Sequence, residues 1–469
     1  MNTGWRPARM STIESTPEPP TAAKSLLGKL LSPIADVHPG EERSVLLMTL
    51  IMFLVLGAYY MLKTAREVFI LTQGGAAVKS YSSAGQAILL LALVPAYGAI
   101  ASRVNRTRLV LGVTLFFASH IVLFALASGA GLRIGVVYFL WVGIFNVMVI
   151  AQFWALAADL FTPEQGKRLF PLIGVGSSLG ALAGAVRAGQ VMQSMGPLRL
   201  LMGGGATLVL CAVLSVIASR RHNPAVRGAA AAEDRPLGKE GGFALIFQDR
   251  YLTLIAALTV LLNVVNTSGE YLFGRYVVEQ ANAVYGAGAA AAAAREAYVG
   301  NAYSELFSTV NLIGLLLQLF VVSRVFKFLG IGKSLFVHPV IAVSGYAMML
   351  SAPSMRLMGL LKVADNSVDY SLGNTTKQAL WLHASREAKY KAKQAVDSFF
   401  VRSGDVIQAG IVFGGEQLAF GVPAFAAVNI VLTGLWLGVV AMLNVSLAHP
   451  KAPDARTPPV EALGSTTAR

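Results

Sequence analysis

The chain has 469 residues, of which 55% are hydrophobic and only 13% charged, and its formal charge is +14. Soluble domains carry roughly 25% charged residues, so an ordinary soluble globular protein is excluded. The positive excess does not mark a nucleic-acid binder either, because no zinc-finger spacing, RNA-recognition motif or long basic helix accompanies it.

In chain order, residues 1–44 read as a cytoplasmic tail. Met1 to Pro20 is polar and proline-rich, without the apolar core of a signal peptide. Leu26, Leu27, Leu30, Leu31 and Ile34 then recur at helical spacing beside Lys24 and Lys29, which predicts a short helix lying on the membrane surface. Crossing a bilayer takes about 20 mostly apolar residues. Such runs fall at 46–71, 82–102, 108–128, 134–159, 169–191 and 198–219, within a first half spanning 45–219. They recur at 251–279, 300–323, 331–352, 357–378, 395–415 and 422–446, within a second half spanning 251–446. The charged stretch 220–250, with Pro224 and Pro236, is the linker, and 447–469 is a second tail. The expected fold is therefore all-α: a polytopic membrane protein with twelve transmembrane helices in two six-helix halves. The alanine-rich stretch 281–297 reads as a short helix or a loose tip without chemistry.

Basic residues crowd into alternate connections, among them Arg43, Arg103, Lys167, Arg220, Lys327, Lys389 and Lys451, whereas the opposite ones hold only Lys79, Arg133, Arg199, Arg295 and Arg356. That bias places both termini in the cytoplasm, and the inner, or plasma, membrane is the expected location. The lone Cys211 lies in an apolar run and excludes an intramolecular disulfide framework.

Some charges stay inside the predicted spans: Lys63, Arg66, Arg187, Arg275, Lys362, Lys377 and Arg402, with Glu67, Glu270, Asp365, Asp369, Asp397 and Asp405 among the acids in or near them. At the bilayer centre each costs about 2.5–3.5 kcal/mol even on the lenient insertion scale, so they must face one another or water. Lys63, Arg66 and Glu67 share a helix face, with Tyr59 and Tyr60 one turn away. Asn263, Asn266 and Glu270 repeat that geometry on the seventh helix, followed by Arg275, and the tenth offers Asn366, Tyr370, Asn374 and Lys377 as one stripe. Arg402 and Asp405 stand three apart on the eleventh. Two readings fit, a substrate cavity or pairs that lock helices and gates. For Lys63, Arg66 and Glu270, on corresponding helices of the two halves, the cavity is the better one; Glu67, Asp369, Asp397, Arg402 and Asp405 suit gating or charge pairing.

Gly176, Gly180 and Gly184 stand four apart, which suits close helix packing; the phosphate-cradle pattern is missing. The six histidines are scattered, and neither a catalytic triad nor metal-ligand spacing emerges. An enzyme is not expected, nor a cofactor or metal, and a monomer in the lipid bilayer is the default.

The halves also echo each other. Thr162 to Arg168 leads into the glycine helix, and Ser385 to Lys393 leads into Ser403 and Gly404, which suits the parallel repeat of major facilitator transporters. Four stretches carry a more specific resemblance: Ala65-Arg-Glu-Val-Phe-Ile-Leu-Thr72; Phe153-Trp-Ala-Leu-Ala157 continuing through Gly166 to Gly176; Tyr370-Ser-Leu372 with Lys377; and Lys389 to Asp397. In order and spacing they resemble the nucleotide transporter family, the ATP/ADP translocases of plastids and intracellular bacteria. The resemblance implies an alternating-access carrier exchanging nucleotides, with Arg66 and Lys63 as the first-helix bases, Glu270 as the seventh-helix acid and Lys377 as the tenth-helix lysine. On that reading Arg66, Lys63, Lys377 and Arg275 are expected to hold phosphates, Glu270 to pair with a base or bind a coupling proton, and Tyr60 or Tyr370 to stack on a base, with Asn374 on Tyr370's stripe. Departures from the family pattern are Val142 and Gln378 in place of acids and Asp369 in place of a lysine. The alternatives are the same fold moving another organic anion or a proton-coupled solute, and a membrane scaffold without flux.

Overall fold

The computed structural model describes residues 35–101, 106–219, 241–351, 354–385 and 387–448. The surface helix expected near residues 26–34, most of the linker and nearly all of the C-terminal tail lie outside them.

Two continuous helical runs, Glu42–Ala101 and Pro163–Ser219, are each far longer than a bilayer is thick. At 1.5 Å per residue a straight helix of that length would run about 85 Å, nearly three times the hydrocarbon core. Both reverse at a glycine: Gly75 has φ 78° and ψ 179°, Gly196 φ 75° and ψ −177°. This backbone region is essentially closed to any residue with a Cβ. Glu67 and Lys79 would stand about 18 Å apart on a straight helix; across Gly75 they meet at 2.7 Å. The runs therefore give α1 (42–74) and α2 (76–101), then α5 (163–195) and α6 (197–219), with α3 (Arg106–Gly129) and α4 (Gly135–Leu160) between them.

The second half holds α7 (Arg250–Tyr285), α8 (292–329), α9 (Val337–Ser351), α10 (355–380), α11 (388–417) and α12 (Val422–Ala448). Gly330, at φ 69° and ψ 174°, ends α8 with the same reversal. The described residues thus form twelve helical spans and no strand, in the all-α polytopic arrangement expected. The alanine-rich stretch is the tip between α7 and α8, a turn at Gly286 and a single 3₁₀ turn at Ala289–Ala291. The described end of the linker is a short helix, Gly242–Gln248, whose Phe243 and Phe247 pack on Phe399 and Phe400 of α11.

Seven helical stretches are long and apolar enough to cross a membrane, two of them being the double runs. The apolar part of α9 is shorter. α10 and α11 are interrupted by charges and by wide π turns at Asp369–Gly373, Ala388–Ala392 and Val396–Phe400. Side chains such as Phe116, Leu123 and Leu126 on α3 and Val431 and Leu435 on α12 face outward into what would be lipid.

Hydrocarbon drives no hydrophobic association between helices, so close packing must hold the bundle together. The α1–α5 seam shows how. A Cβ on Gly176 would sit 2.6 Å from Thr49, one on Gly180 2.1 Å from the Phe53 carbonyl, and one on Gly184 2.3 Å from the Gly57 carbonyl. Three successive turns of two parallel helices thus touch backbone to backbone. Ahead of α1, the Glu41 carboxylate accepts hydrogen bonds from Arg168 and Gln165. Burial alone would raise its pKa; Arg168, the His38 N–H and Gln165 bring it below the usual carboxylate value.

We call the end carrying Glu42 and Ala448 proximal and the other distal. Contacts between the halves concentrate from the middle of the bundle to its distal end. Ser304 of α8 donates to the Ala185 carbonyl of α5 at 2.6 Å, and Gly300 meets Met192 one turn further out. Gln408 of α11 bonds Ser80 of α2 at 3.2 Å, and the Tyr81 and Phe413 rings meet edge to face at 6.4 Å.

Candidate functional site

A cavity of about 220 Å³ lies between the halves near mid-bundle, lined by residues of α1, α2, α4, α7, α10 and α11. Four bases (Lys63, Arg66, Lys79 and Arg402) and two acids (Glu270 and Asp405) line it, with Tyr59, Phe139, Tyr271 and Tyr370 as aromatic walls. Ser80, Ser83, Gln86, Asn266, Thr267 and Gln408 supply neutral hydrogen-bonding groups.

The helical spacing on α1 delivers its charges to one side. Arg66 bonds Glu67 at 2.5 Å and lies over the Phe139 ring at 4.6 Å. Glu67, only 1% exposed, also takes Lys79 at 2.7 Å. Lys79 reaches across the halves to Glu270 at 3.4 Å, and Lys362 approaches the other Glu270 oxygen at 3.4 Å. From there the pairs continue along α10: Lys362 to Asp365 at 3.2 Å, Asp365 to His338 at 2.9 Å, His338 to Asp369 at 3.9 Å, and Asp369 to Lys377 at 3.4 Å. Asn266 and Asn366 tie α7 to α10 beside them. Arg402 bonds Asp405 at 3.3 Å, and Asp405 also accepts from Asn263. Buried charges are tolerable in this form because each carboxylate meets a cation.

Lys63 is the exception. Its ammonium lies 4.2 Å from the Phe307 ring centroid, 5.3 Å from Tyr60 and 6.0 Å from Tyr59, with no carboxylate within 4.0 Å among the described residues. A desolvated ammonium held only by aromatic faces is attracted by roughly 2 kcal/mol, and its charge stays available to a ligand.

The structure separates the residues expected at one site. Lys63, Arg66 and Glu270 converge on the cavity, as do Arg402 and Asp405. Tyr60 lies behind the wall against Phe307, and Tyr59 takes the lining position. Arg275 sits further out on α7, bonded to Glu279, Glu416 and the Phe420 carbonyl, where it clasps α7 to α11. The α10 stripe does not survive the π turn at Asp369–Gly373. One extra residue in a turn rotates everything beyond it by about 100°, so Tyr370 lines the cavity while Asn374 is exposed outside it and Lys377 turns to Asp369. Asp397 forms a surface pair with Lys393. Val142 is fully buried, and α4 offers the cavity Phe139 instead of an acid.

Two central residues were not expected here. Lys79, counted as a distal-loop charge, is 7% exposed and joins Glu67 to Glu270. Its signal was Lys79, Ser83 and Gln86 at i, i+4 and i+7, a polar face at the start of α2. His338 is 4% exposed between Asp365 and Asp369. Among the described residues no His, Cys, Asp and Glu groups converge as metal ligands would.

No family model and no curated protein matches the chain by sequence. Solved structures do. A bacterial homologue of the iron transporter ferroportin in an inward-facing state is 14% identical and superposes at a TM-score of 0.59 over 86% of this chain and 98% of its own. The nucleoside transporter NupG, also 14% identical, gives 0.56 over 87% and 100%. The peptide transporter POT in complex with sulfate, 13% identical, gives 0.60 over 89% and 98%. At such identities the likeness establishes the fold, that of major facilitator transporters.

Proposed function

We propose that the chain is a secondary transporter that carries a nucleotide, or a closely related phosphorylated anion, by alternating access. One observation carries the reading: the unpaired Lys63 ammonium stands beside Arg66 in a cavity where bases outnumber acids and aromatic rings form the walls. Phosphate oxygens suit Lys63 and Arg66 through charge-assisted bonds, and Tyr59, Phe139 and Tyr370 suit a base. The motif resemblance to ATP/ADP translocases points to the same cargo, and one protein sharing the fold is a nucleoside transporter. A carrier of another organic anion would use the same two cations. Basic residues near the proximal end, including Arg43, Lys167, Lys327 and Lys389, support a cytoplasmic proximal end; on that reading this conformation is closed toward the outside.

Counterflow into proteoliposomes loaded with ATP or ADP tests the proposal. Each phosphate contact is worth about 1.5–3 kcal/mol, so Lys63→Ala and Arg66→Ala should each weaken apparent affinity roughly ten- to a hundredfold. Lys377→Ala, outside the cavity lining, should cost less. Exchange of non-phosphorylated solutes alone would exclude nucleotides, and no flux of any solute would exclude a carrier.

A further inference from the structure

We infer that His338, clamped between Asp365 and Asp369, is a proton-binding site whose occupancy is tied to the opening and closing of the distal side. The inference rests on alternating access, but not on the cargo being a nucleotide.

His338 Nε2 lies 2.9 Å from Asp365, and Nδ1 lies 3.9 Å from Asp369 with no hydrogen-bond partner among the described residues. A neutral imidazole has one N–H and one lone pair. Whichever nitrogen carries the proton, the other turns a lone pair toward a carboxylate. Only the doubly protonated ring satisfies both sides.

Among the described residues, the surroundings supply no substitute. On α10, Lys362 is bonded to Asp365 and Lys377 to Asp369. From α12 the ring meets the edge of Trp436, at 4.9 Å. α7 brings Leu258 and Leu262 to the same small cavity, and its Asn266 bonds Asp369 and Lys362. Around a neutral His338 the second half thus holds three linked carboxylates (Glu270, Asp365 and Asp369) against two lysines.

Lys79 supplies the missing positive charge, but from the other half. It stands 3.4 Å from Glu270 and 2.7 Å from Glu67. Glu67 and Lys79 belong to the α1–α2 hairpin and move together, so opening the distal side withdraws Lys79 from Glu270. The second half is then one positive charge short, and a proton on His338 restores it. When the distal side closes, Lys79 returns and disfavours that proton. The site is therefore occupied in the distal-open state and empty in the distal-closed one.

Spin labels at Tyr81→Cys and Phe413→Cys, whose rings meet across the distal contact, measure the opening in the full chain in liposomes. The distal-open fraction should rise as pH falls, and His338→Gln should abolish that response. Removing Asp369's charge with Asp369→Asn should weaken that response, which decides the matter if the histidine variant does not fold. Lys79→Met should raise the open fraction at neutral pH. No pH response, the same response in His338→Gln, or an undiminished response in Asp369→Asn would overturn the inference. Nucleotide counterflow with no pH-driven opening would leave the cargo standing and remove only the proton site.

Discussion

Glu67 holds two of the cations at the cavity, since Arg66 and Lys79 both rest on it. Removing one partner of a buried pair strands the rest, at about 3–5 kcal/mol. Glu67→Gln should therefore lower the thermal unfolding midpoint sharply in detergent, and adding Lys79→Met should restore part of the loss. An additive second loss would mean that the two do not interact. The α1 charges were legible because Lys63, Arg66 and Glu67 sit at helical spacing within one apolar run. Lys79 was not, because charge counting assumes a loop between spans; here the reversal takes the single residue Gly75, and Lys79 is already a turn into α2. His338 gave no pattern at all, since both its acids belong to another helix.

Among elements, the α1–α5 seam is the most sharply defined. The glycine spacing on α5 announced it, and the backbone contacts at Phe53 and Gly57 give it a physical form. Gly180→Leu should force the helices apart, with an overpacking cost of about 1–3 kcal/mol or more. The expected readout is a lower unfolding midpoint than for Gly174→Leu, a position with open space beside it; equal midpoints would show that the seam tolerates separation. The α10 stripe was misread for the opposite reason. Periodicity presumes 3.6 residues per turn, and nothing in Asp369–Gly373 signals that one turn is wider. π turns of this kind often mark functional positions, and this one divides the cavity residue Tyr370 from Lys377.

For the whole molecule, composition and hydropathy were enough for twelve spans in two halves, whereas which end of the bundle is closed depends on pairings between distant segments. With distal contacts through Ser304, Gln408 and Phe413, the cavity should be reachable from the proximal end. Ser83→Cys in a Cys211→Ser background should react with a membrane-impermeant maleimide in inside-out vesicles and be protected in intact cells. Reaction from the outside alone would reverse either the orientation or the closed side. The single-residue reversals at Gly75 and Gly196 also bear on biogenesis. A hairpin that turns within one residue has almost no hydrophilic loop to translocate, so α1 with α2, and α5 with α6, can partition into the bilayer as preformed pairs, led by a tip that brings little polar backbone with it.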